Sequence, residues 1–468
     1  MSVLRLIKVG IDLPEGTLFD EVDLVLERGM RVAISGENGA GKTTLMRVAA
    51  GEVEPDRGTT ELRGSVGWLP QHLPDTLEHP GSGGERQRRR LEELLSRSHD
   101  LLLLDEPTHH LDLGAMSWLE SALLSSDAAV LFVSHDRAFL DAVATHVGFL
   151  ERGAWRLETG NYSQATERRR GEDAVNARRH HVQTRKVAAL EAEFHRQRSK
   201  AKSADRFNHK RASGQPLILA KGKAENVSNK LAGRARALKT RLAREEVVAK
   251  PWEDRRRLSF SAQPSSPGPS EVLRAEGLVV TRGGRQVIGP DAVDLHVRRS
   301  DKIALVGPNG SGKSTLLAVL MGTLEPDAGR VVLGTGLRIG FADQAREPWG
   351  DAATVGEVLR RVRSNLLDAD VWRVTAEVGV PSAPSRPVFE LSGGERRRLT
   401  LAQIAVSDGH LLVLDEPTHH LDLRAVEALE KLLVEYSGTL LLATHDRRLV
   451  ERVATRVWRL GDGRLEED

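Results

Sequence analysis

The sequence predicts an α/β protein made of two duplicated phosphate-loop domains joined by a basic antiparallel helical hairpin. Three observations carry this reading. A set of short motifs occurs twice in the same order, and each glycine-rich copy lies between an apolar strand and a helix. Between the copies, residues 165–250 hold 23 Lys and Arg against 9 Asp and Glu, a net of +14 in a chain whose formal total is +2.

At 468 residues the chain exceeds one compact core. It has no cysteine, which excludes a disulfide framework, a thiolate metal site and a cysteine nucleophile, and suits a reducing cytoplasm. The longest apolar runs, Leu101–Leu104 and Leu411–Leu414 among them, fall far short of the ~18 residues of a membrane span. The start MSVLRLIKVG lacks a signal-peptide core. A cytoplasmic protein without membrane association is expected.

GENGAGKTT at Gly36–Thr44 recurs as GPNGSGKST at Gly307–Thr315, an offset of 271. SGGER, LLLLDEPTHHLD and SHDR recur as SGGER, LLVLDEPTHHLD and THDR at an offset of 310. The apolar runs Val32–Ser35 and Ile303–Val306 feed the two glycine loops, so each copy is expected to hold a parallel sheet. Gln71 lies 11 residues before Ser82, whereas Gln344 lies 48 before Ser392. The first copy therefore lacks a subdomain, which the second supplies from VGEVLRRVRSNLLDADVWRVTAEVGV, one or two amphipathic helices. The expected organisation is a first domain over 1–160 with a shortened helical subdomain, a hairpin over 161–250, a Pro/Ser-rich connector over 251–270 and a second domain over 271–468.

Within the hairpin, the outgoing arm is expected from about Asn176 to Ala204, a stretch without Pro or Gly that spaces Val182, Val187, Leu190 and Phe194 helically. Val227, Leu231, Ala235, Leu238 and Leu242 mark one face of the return arm. Gly214 and Pro216 place the tip near DRFNHKRASGQPLILA.

GxxxxGK[ST] in the strand–loop–helix context is a phosphate loop. Its residues are Gly36, Glu37, Asn38, Gly39, Ala40, Gly41, Lys42, Thr43 and Thr44 in one copy. In the other they are Gly307, Pro308, Asn309, Gly310, Ser311, Gly312, Lys313, Ser314 and Thr315. Backbone N–H groups there face the β- and γ-phosphates, the lysines add charge, and Thr43 and Ser314 are offered to Mg²⁺. Asp105 and Asp415, at the ends of the apolar strands, are the other candidate Mg²⁺ ligands. The next residues, Glu106 and Glu416, are candidate bases that orient and deprotonate the attacking water. Gln71 and Gln344 are assigned to Mg²⁺ and that water, and His135 and His445 to the γ-phosphate. A lone histidine after a strand is usually structural; its recurrence within HDR makes it a candidate. Ser82, Gly83, Gly84 and Glu85, with Ser392, Gly393, Gly394 and Glu395, open helices as a second phosphate clamp.

A phosphate loop, Gln loop, SGGE, carboxylate strand, D-loop and switch His, in this order and twice, resemble the ATP-binding cassette superfamily. Two cassettes in one chain, DEPTHHLD in both and a basic hairpin between resemble its ABC-F branch, with GNYSQATERRR (160–170) and KPWEDRRRLSF (250–260) similar to the family's hairpin entry and exit. The resemblance implies an ATPase using ATP and Mg²⁺, with an intramolecular head-to-tail cassette dimer in which Lys42 faces Ser392 and Lys313 faces Ser82. It also implies that the hairpin enters the ribosomal exit site beside P-site tRNA. Arg206, Lys210 and Arg211 at the tip would there meet ribosomal RNA phosphates. Regulation or protection of translation, including antibiotic resistance, follows from it. Branched-DNA binding and service to a separate membrane transporter are the alternatives; members of the DNA kind usually carry a basic coiled coil after the second cassette, and a transporter role leaves the hairpin unexplained. The sequence departs from the family at Gly81, where the second copy has Leu391, at His109 and His419, and at Val9–Ile11 and Thr281–Arg282, where no Tyr or Phe stands to stack on a base.

Overall fold

The computed structural model describes residues 2–14, 16–71, 83–205, 226–240 apart from 228, 231 and 235, 262–343 apart from 265, 354–380, 382–418 and 421–467. Backbone contacts divide the chain into one unit of Met1–Ala165 with Arg256–Asp468, and a second of Thr166–Arg255.

The first cassette contains β1 (Ser2–Leu13), β2 (Gly16–Glu27), β3 (Arg31–Ser35), β4 (Arg57–Leu62), β5 (Val66–Leu69), β6 (Leu101–Asp105), β7 (Ala129–Val133), β8 (His146–Glu151) and β9 (Ala154–Thr159). An antiparallel sheet runs β2-β1-β4, and the core sheet runs β5-β6-β7-β3-β8-β9. The core sheet is parallel except for β9 at its edge. Strands buried on both faces read as unbroken apolar runs, as LLLLD of β6 and AVLFV of β7 do. Helices α1 (Lys42–Ala49), α2 (Gly83–Leu95), α3 (Leu113–Leu124) and α4 (Arg137–Val143) complete the described part.

The second cassette repeats this strand for strand. Its members are β10 (Glu271–Arg282), β11 (Arg285–Arg298), β12 (Lys302–Val306), β13 (Ala328–Leu333), β14 (Ile339–Asp343), β15 (Leu411–Asp415), β16 (Thr439–Ala443), β17 (Arg456–Gly461) and β18 (Arg464–Glu467). The orders are β11-β10-β13 and β14-β15-β16-β12-β17-β18.

α5 (Tyr162–Asp205) follows the first cassette. It starts well before the expected Asn176, because Tyr162 and Ala165 are buried in the first cassette's core and Asp141 accepts from the backbone N and the hydroxyl of Ser163, both at 2.7 Å. Gly171 lies inside the helix; a glycine interior to a helix costs only about 1 kcal/mol and does not stop it. Val187, Leu190 and Phe194 are half-buried on one stripe with Gln183 and Gln197. Val182, expected on that stripe, is 66% exposed instead. In the return arm, 236–240 are helical with Leu238 half-buried, but Val227 is 52% exposed. Leu231, Ala235, Leu242 and the tip lie outside the described residues. No described helix is long and apolar enough to cross a membrane.

After α6 (Lys313–Leu320), the second cassette adds α7 (Val355–Val362) and α8 (Asp368–Glu377), then α9 (Gly393–Val406), α10 (Leu423–Glu435) and α11 (Arg447–Val453). A capping box between Thr354 and Glu357 starts α7. Val355, Val358 and Leu359 of α7 and Val371 of α8 share one buried cluster with Leu399 and Ala402 of α9. In the first cassette, only Leu91 of α2 is buried. The repeat puts Arg89 and Glu92 of α2 where α9 has Leu399 and Ala402, so the helix equivalent to α9 carries charge on the face that α7 and α8 would cover. The end of the connector is not a free tether: Ala262 is buried with the second cassette's core, and Gln263 Nε2 donates to the Glu435 carbonyl at 2.9 Å.

Candidate functional site

Each phosphate loop links a central strand to a helix, β3 to α1 and β12 to α6. Gly41 and Gly312 cap these helices in the left-handed region, at φ of 98° and 101°, where a side chain would be strained. A Cβ on Gly36 would sit 2.2 Å from the Leu150 carbonyl oxygen, and one on Gly307 2.0 Å from that of Leu460. Lys42 Nζ donates to the carbonyls of Gly36 (2.8 Å) and Glu37 (3.0 Å), and Lys313 Nζ to those of Gly307 (3.0 Å) and Pro308 (3.2 Å). Both ammonium groups are therefore aimed across the loop's mouth. Burial lowers the pKa of each lysine, opposed by the nearby Glu106 and Glu416.

The strand-end glutamates have left-handed backbones, φ 53° at Glu106 and 46° at Glu416, uncommon for a residue with a side chain. Their N–H groups still join the ladder, donating to Val133 O (3.0 Å) and Ala443 O (2.9 Å), so the chain turns sharply just past the sheet. Burial pushes both carboxyls up to about 7, against the pull of Lys42 and of Lys313. That value is near the optimum for a base at neutral pH. His135 Nε2 is 3.1 Å from Glu106 Oε1, and His445 Nε2 is 3.2 Å from Glu416 Oε1. Burial first, then Lys42, lowers His135 to about 4, which leaves it neutral at pH 7. Lys313 Nζ also donates to His445 Nε2 at 3.0 Å. Asp105 is buried, its carboxyl raised by desolvation and eased by a hydrogen bond from Thr43, while its Oδ2 has no hydrogen-bond partner. Gln71 is exposed two residues beyond β5, whose last residue, Leu69, pairs with Leu104 on the adjoining β6. Gln344 and Ser82 lie outside the described residues.

The cassettes meet head to tail. A pocket of about 230 Å³ brings Asn38 of the first phosphate loop beside Ser392, Gly394, Arg397, Arg398 and Asp422 of the second cassette. On the other side, Asn309 Nδ2 donates to the His110 carbonyl at 2.6 Å and lies 3.0 Å from where a Cβ on Gly84 would be. His110 holds that carbonyl out from a left-handed turn, φ 63°. Lys42 feels Asp422 and Lys313 feels Asp112, each the D-loop carboxylate of the opposite cassette. Ser392 caps α9: it accepts from Glu395 N at 3.3 Å, and its hydroxyl donates to Glu395 Oε2 at 2.9 Å. The hydroxyl expected at a phosphate is here engaged with its own helix end.

Some residues were not legible in the motifs. A cleft of about 440 Å³ beside the first phosphate loop is lined by Leu13, Thr17, Leu18 and Arg152. At Val9–Ile11, where no aromatic stands to stack on a base, Val9 and Ile11 are buried in the β1 core. It is the β1–β2 turn that flanks the loop. Across the interface, Arg137 pairs with Glu430 and Arg447 with Glu120. These pairs exchange under the 310-residue repeat, the only sequence signal that could have found the two glutamates. Between them Asp136 and Asp446 cap α4 and α11. Burial, with Asp446 as a minor cause, pushes Asp136 up to about 6. Arg448 also crosses, to Asp141 (2.7 Å) and to Ser163 Oγ (2.5 Å) at the root of α5.

The family model described as ABC transporter matches residues 19–80 and 290–419. The ATP-binding protein Uup of Caulobacter vibrioides is 34% identical over 481 residues, which cover 94% of this chain and 74% of that protein. ABC transporter F family member 5 of Arabidopsis thaliana is 30% identical over 97% of this chain and 59% of that protein. Ribosome protection protein VmlR of Bacillus subtilis is 29% identical over 96% and 85%. With twin cassettes of one topology, two phosphate loops each facing the other cassette, and likeness running through nearly its whole length, the chain belongs to the ABC-F family of ATP-binding cassette proteins and is an ATPase.

Proposed function

We propose that the protein is a ribosome-binding ATPase in which ATP draws the two cassettes together and the basic hairpin contacts ribosomal RNA near the exit site and P-site tRNA, to regulate or protect translation. The observation that carries this is the 44-residue helix α5 leaving a twin-site ATPase, in a span of 23 basic against 9 acidic residues. A long basic helix suits the phosphates of a fixed polyanion. The likeness to a protein named for ribosome protection supports the ribosome as that polyanion.

The site suits a divalent cation, since Asp105 keeps one oxygen buried without a partner beside the Thr43 hydroxyl. Thr43, Asp105 and Gln71 would hold Mg²⁺ in one site, and Ser314, Asp415 and Gln344 in the other. When bound, the ion neutralises phosphate charge. The loops position the phosphates through backbone N–H groups and Lys42 or Lys313. Glu106 and Glu416 accept the proton of the attacking water, and neutral His135 fixes the orientation of Glu106 from 3.1 Å. Gly83, Gly84 and Glu85, with Ser392 to Glu395, close each site from the facing cassette. Opening and closing then moves the hairpin's root.

The test is sedimentation of a Glu106→Gln, Glu416→Gln variant with ribosomes in ATP, with branched DNA as competitor. Retention on ribosomes is expected. Neutralising Arg206, Lys210 and Arg211 should weaken it and flatten its salt dependence, because each lost phosphate contact removes roughly one released counterion. Normal ribosome binding with lost DNA affinity in that triple variant would replace this reading with a DNA-directed one.

A further inference from the structure

The two nucleotide sites are related by the duplication, yet one carries a bridge that the other is chemically unable to form. Arg424, near the start of α10, reaches out of the second cassette into the first. Its Nη1 donates to Glu37 Oε1 at 2.7 Å and its Nη2 to Glu151 Oε1 at 2.9 Å. Glu37 belongs to the phosphate loop, and Glu151 ends β8, the strand whose Leu150 carbonyl backs Gly36. The three side chains are 38%, 35% and 22% exposed, so water reaches the bridge only in part. The repeat puts Gly114 in the place of Arg424, Pro308 in that of Glu37 and Gly461 in that of Glu151. None of those three can carry charge.

We propose that Arg424 is a one-sided latch that holds the first phosphate loop against the second cassette, so that the site of Lys42 and Ser392 releases nucleotide more slowly than the site of Lys313. The inference rests on ATP lying between the cassettes. Opening the latched site separates one guanidinium from two carboxylates, and these charge-assisted bonds form a fork that a single ammonium cannot reproduce. Opening the other site separates no such group at the equivalent positions, which are Gly114, Pro308 and Gly461. Arg424 acts through the loop that holds the phosphates and is a positioning residue.

The experiment follows release of labelled ATP after a chase from the Glu106→Gln, Glu416→Gln protein. The expected result is two phases of equal amplitude. Arg424→Gly, the residue at the equivalent position, should speed the slow phase about three- to thirtyfold and leave the fast phase unchanged. Arg424→Lys should fall between. Glu37→Gln should speed the same phase, and less than additively when combined with Arg424→Gly. The latch can also be grafted. A Cβ on Gly461 meets nothing within 4 Å, and one on Gly114 only Asp112 Oδ1 at 3.6 Å. Gly114→Arg with Pro308→Glu and Gly461→Glu should therefore slow the fast phase. A slow phase unmoved by Arg424→Gly, or both phases quickened alike, overturns the latch and leaves the two sites standing. A parent that retains one ATP or none overturns the reading of two sites between the cassettes, and the latch falls with it.

Discussion

The raised carboxyls of Glu106 and Glu416 make the pH dependence of hydrolysis a direct test of their role. Both sit at about 7, pushed up by burial, so both are mostly protonated at pH 6. With a pKa of about 7, roughly one-tenth of such a group is ionised at pH 6 and nine-tenths at pH 8. A base acts only when ionised, so kcat/KM, which reports the free enzyme, should fall about tenfold from pH 8 to 6 if either site turns over alone. If both must be ionised in one cycle, the fall approaches a hundredfold. The assay is phosphate release at subsaturating ATP from pH 5.5 to 9. ATP affinity is measured at each pH as well, because the terminal phosphate also titrates. A flat profile with unchanged affinity would remove the two glutamates as bases. His135, lowered to about 4, should contribute no further inflection in this range.

Other expectations come from the same contacts. Glu106→Gln with Glu416→Gln should abolish turnover and keep ATP, which filter binding and phosphate release check together. Each glutamate has a folded pKa above its ordinary 4.5, so its stabilising contribution is present at low pH and lost as pH rises from about 4.5 through about 7. The nucleotide-free Gln variant should therefore melt higher than wild type at pH 8 and by little at pH 4.5, read by calorimetry; equal shifts at both pH values would refute the burial argument. Arg137 is 5% exposed, and Glu430 is also held by Arg452 at 3.2 Å. Arg137→Met should therefore cost about 2–4 kcal/mol, less than an isolated buried ion pair would at its upper limit, measured by denaturant midpoint. Leu359→Ala in α7, a fully buried position, should cost about 2–5 kcal/mol, and the same assay would register failure as no change in midpoint.

Much of the fold is written in short-range signals. Apolar runs ending in Asp-Glu became the buried parallel strands β6 and β15, and the glycine loops became helix N-termini, because both depend on backbone chemistry local to a few residues. The shorter spacing from Gln71 to Ser82 and the charged Arg89 and Glu92, where α9 has Leu399 and Ala402, both point to a reduced helical subdomain in the first cassette. The start of α5 was not legible, because it depends on Tyr162 finding a pocket in a distant core and on Asp141 satisfying Ser163. Glu120, Glu430 and Arg424 belong to no motif; their partners Arg447, Arg137 and Glu37 come only from the docking of one cassette on the other. Ser392 was placed by its motif, but its bond with Glu395 is a helix-capping habit that the motif shares with any Ser-x-x-Glu.

The exchange symmetry of Arg137–Glu430 and Arg447–Glu120 bears on how the chain chooses its partner. Each cassette offers the same arginine and the same glutamate, so these contacts would close equally well between first cassettes of two different molecules. Partner choice has to come from positions where the copies differ. A first-with-first pairing would set Glu37 and Glu151 opposite Gly114, two carboxylates with no guanidinium to meet them, at both sites. A second-with-second pairing would set Arg424 opposite Pro308 and Gly461. Only the first with the second gives that arginine both acceptors, and because the two are tethered on one polypeptide, their mutual effective concentration favours the same outcome. The residue that delays one site's opening thus also selects closure within a molecule over assembly between molecules.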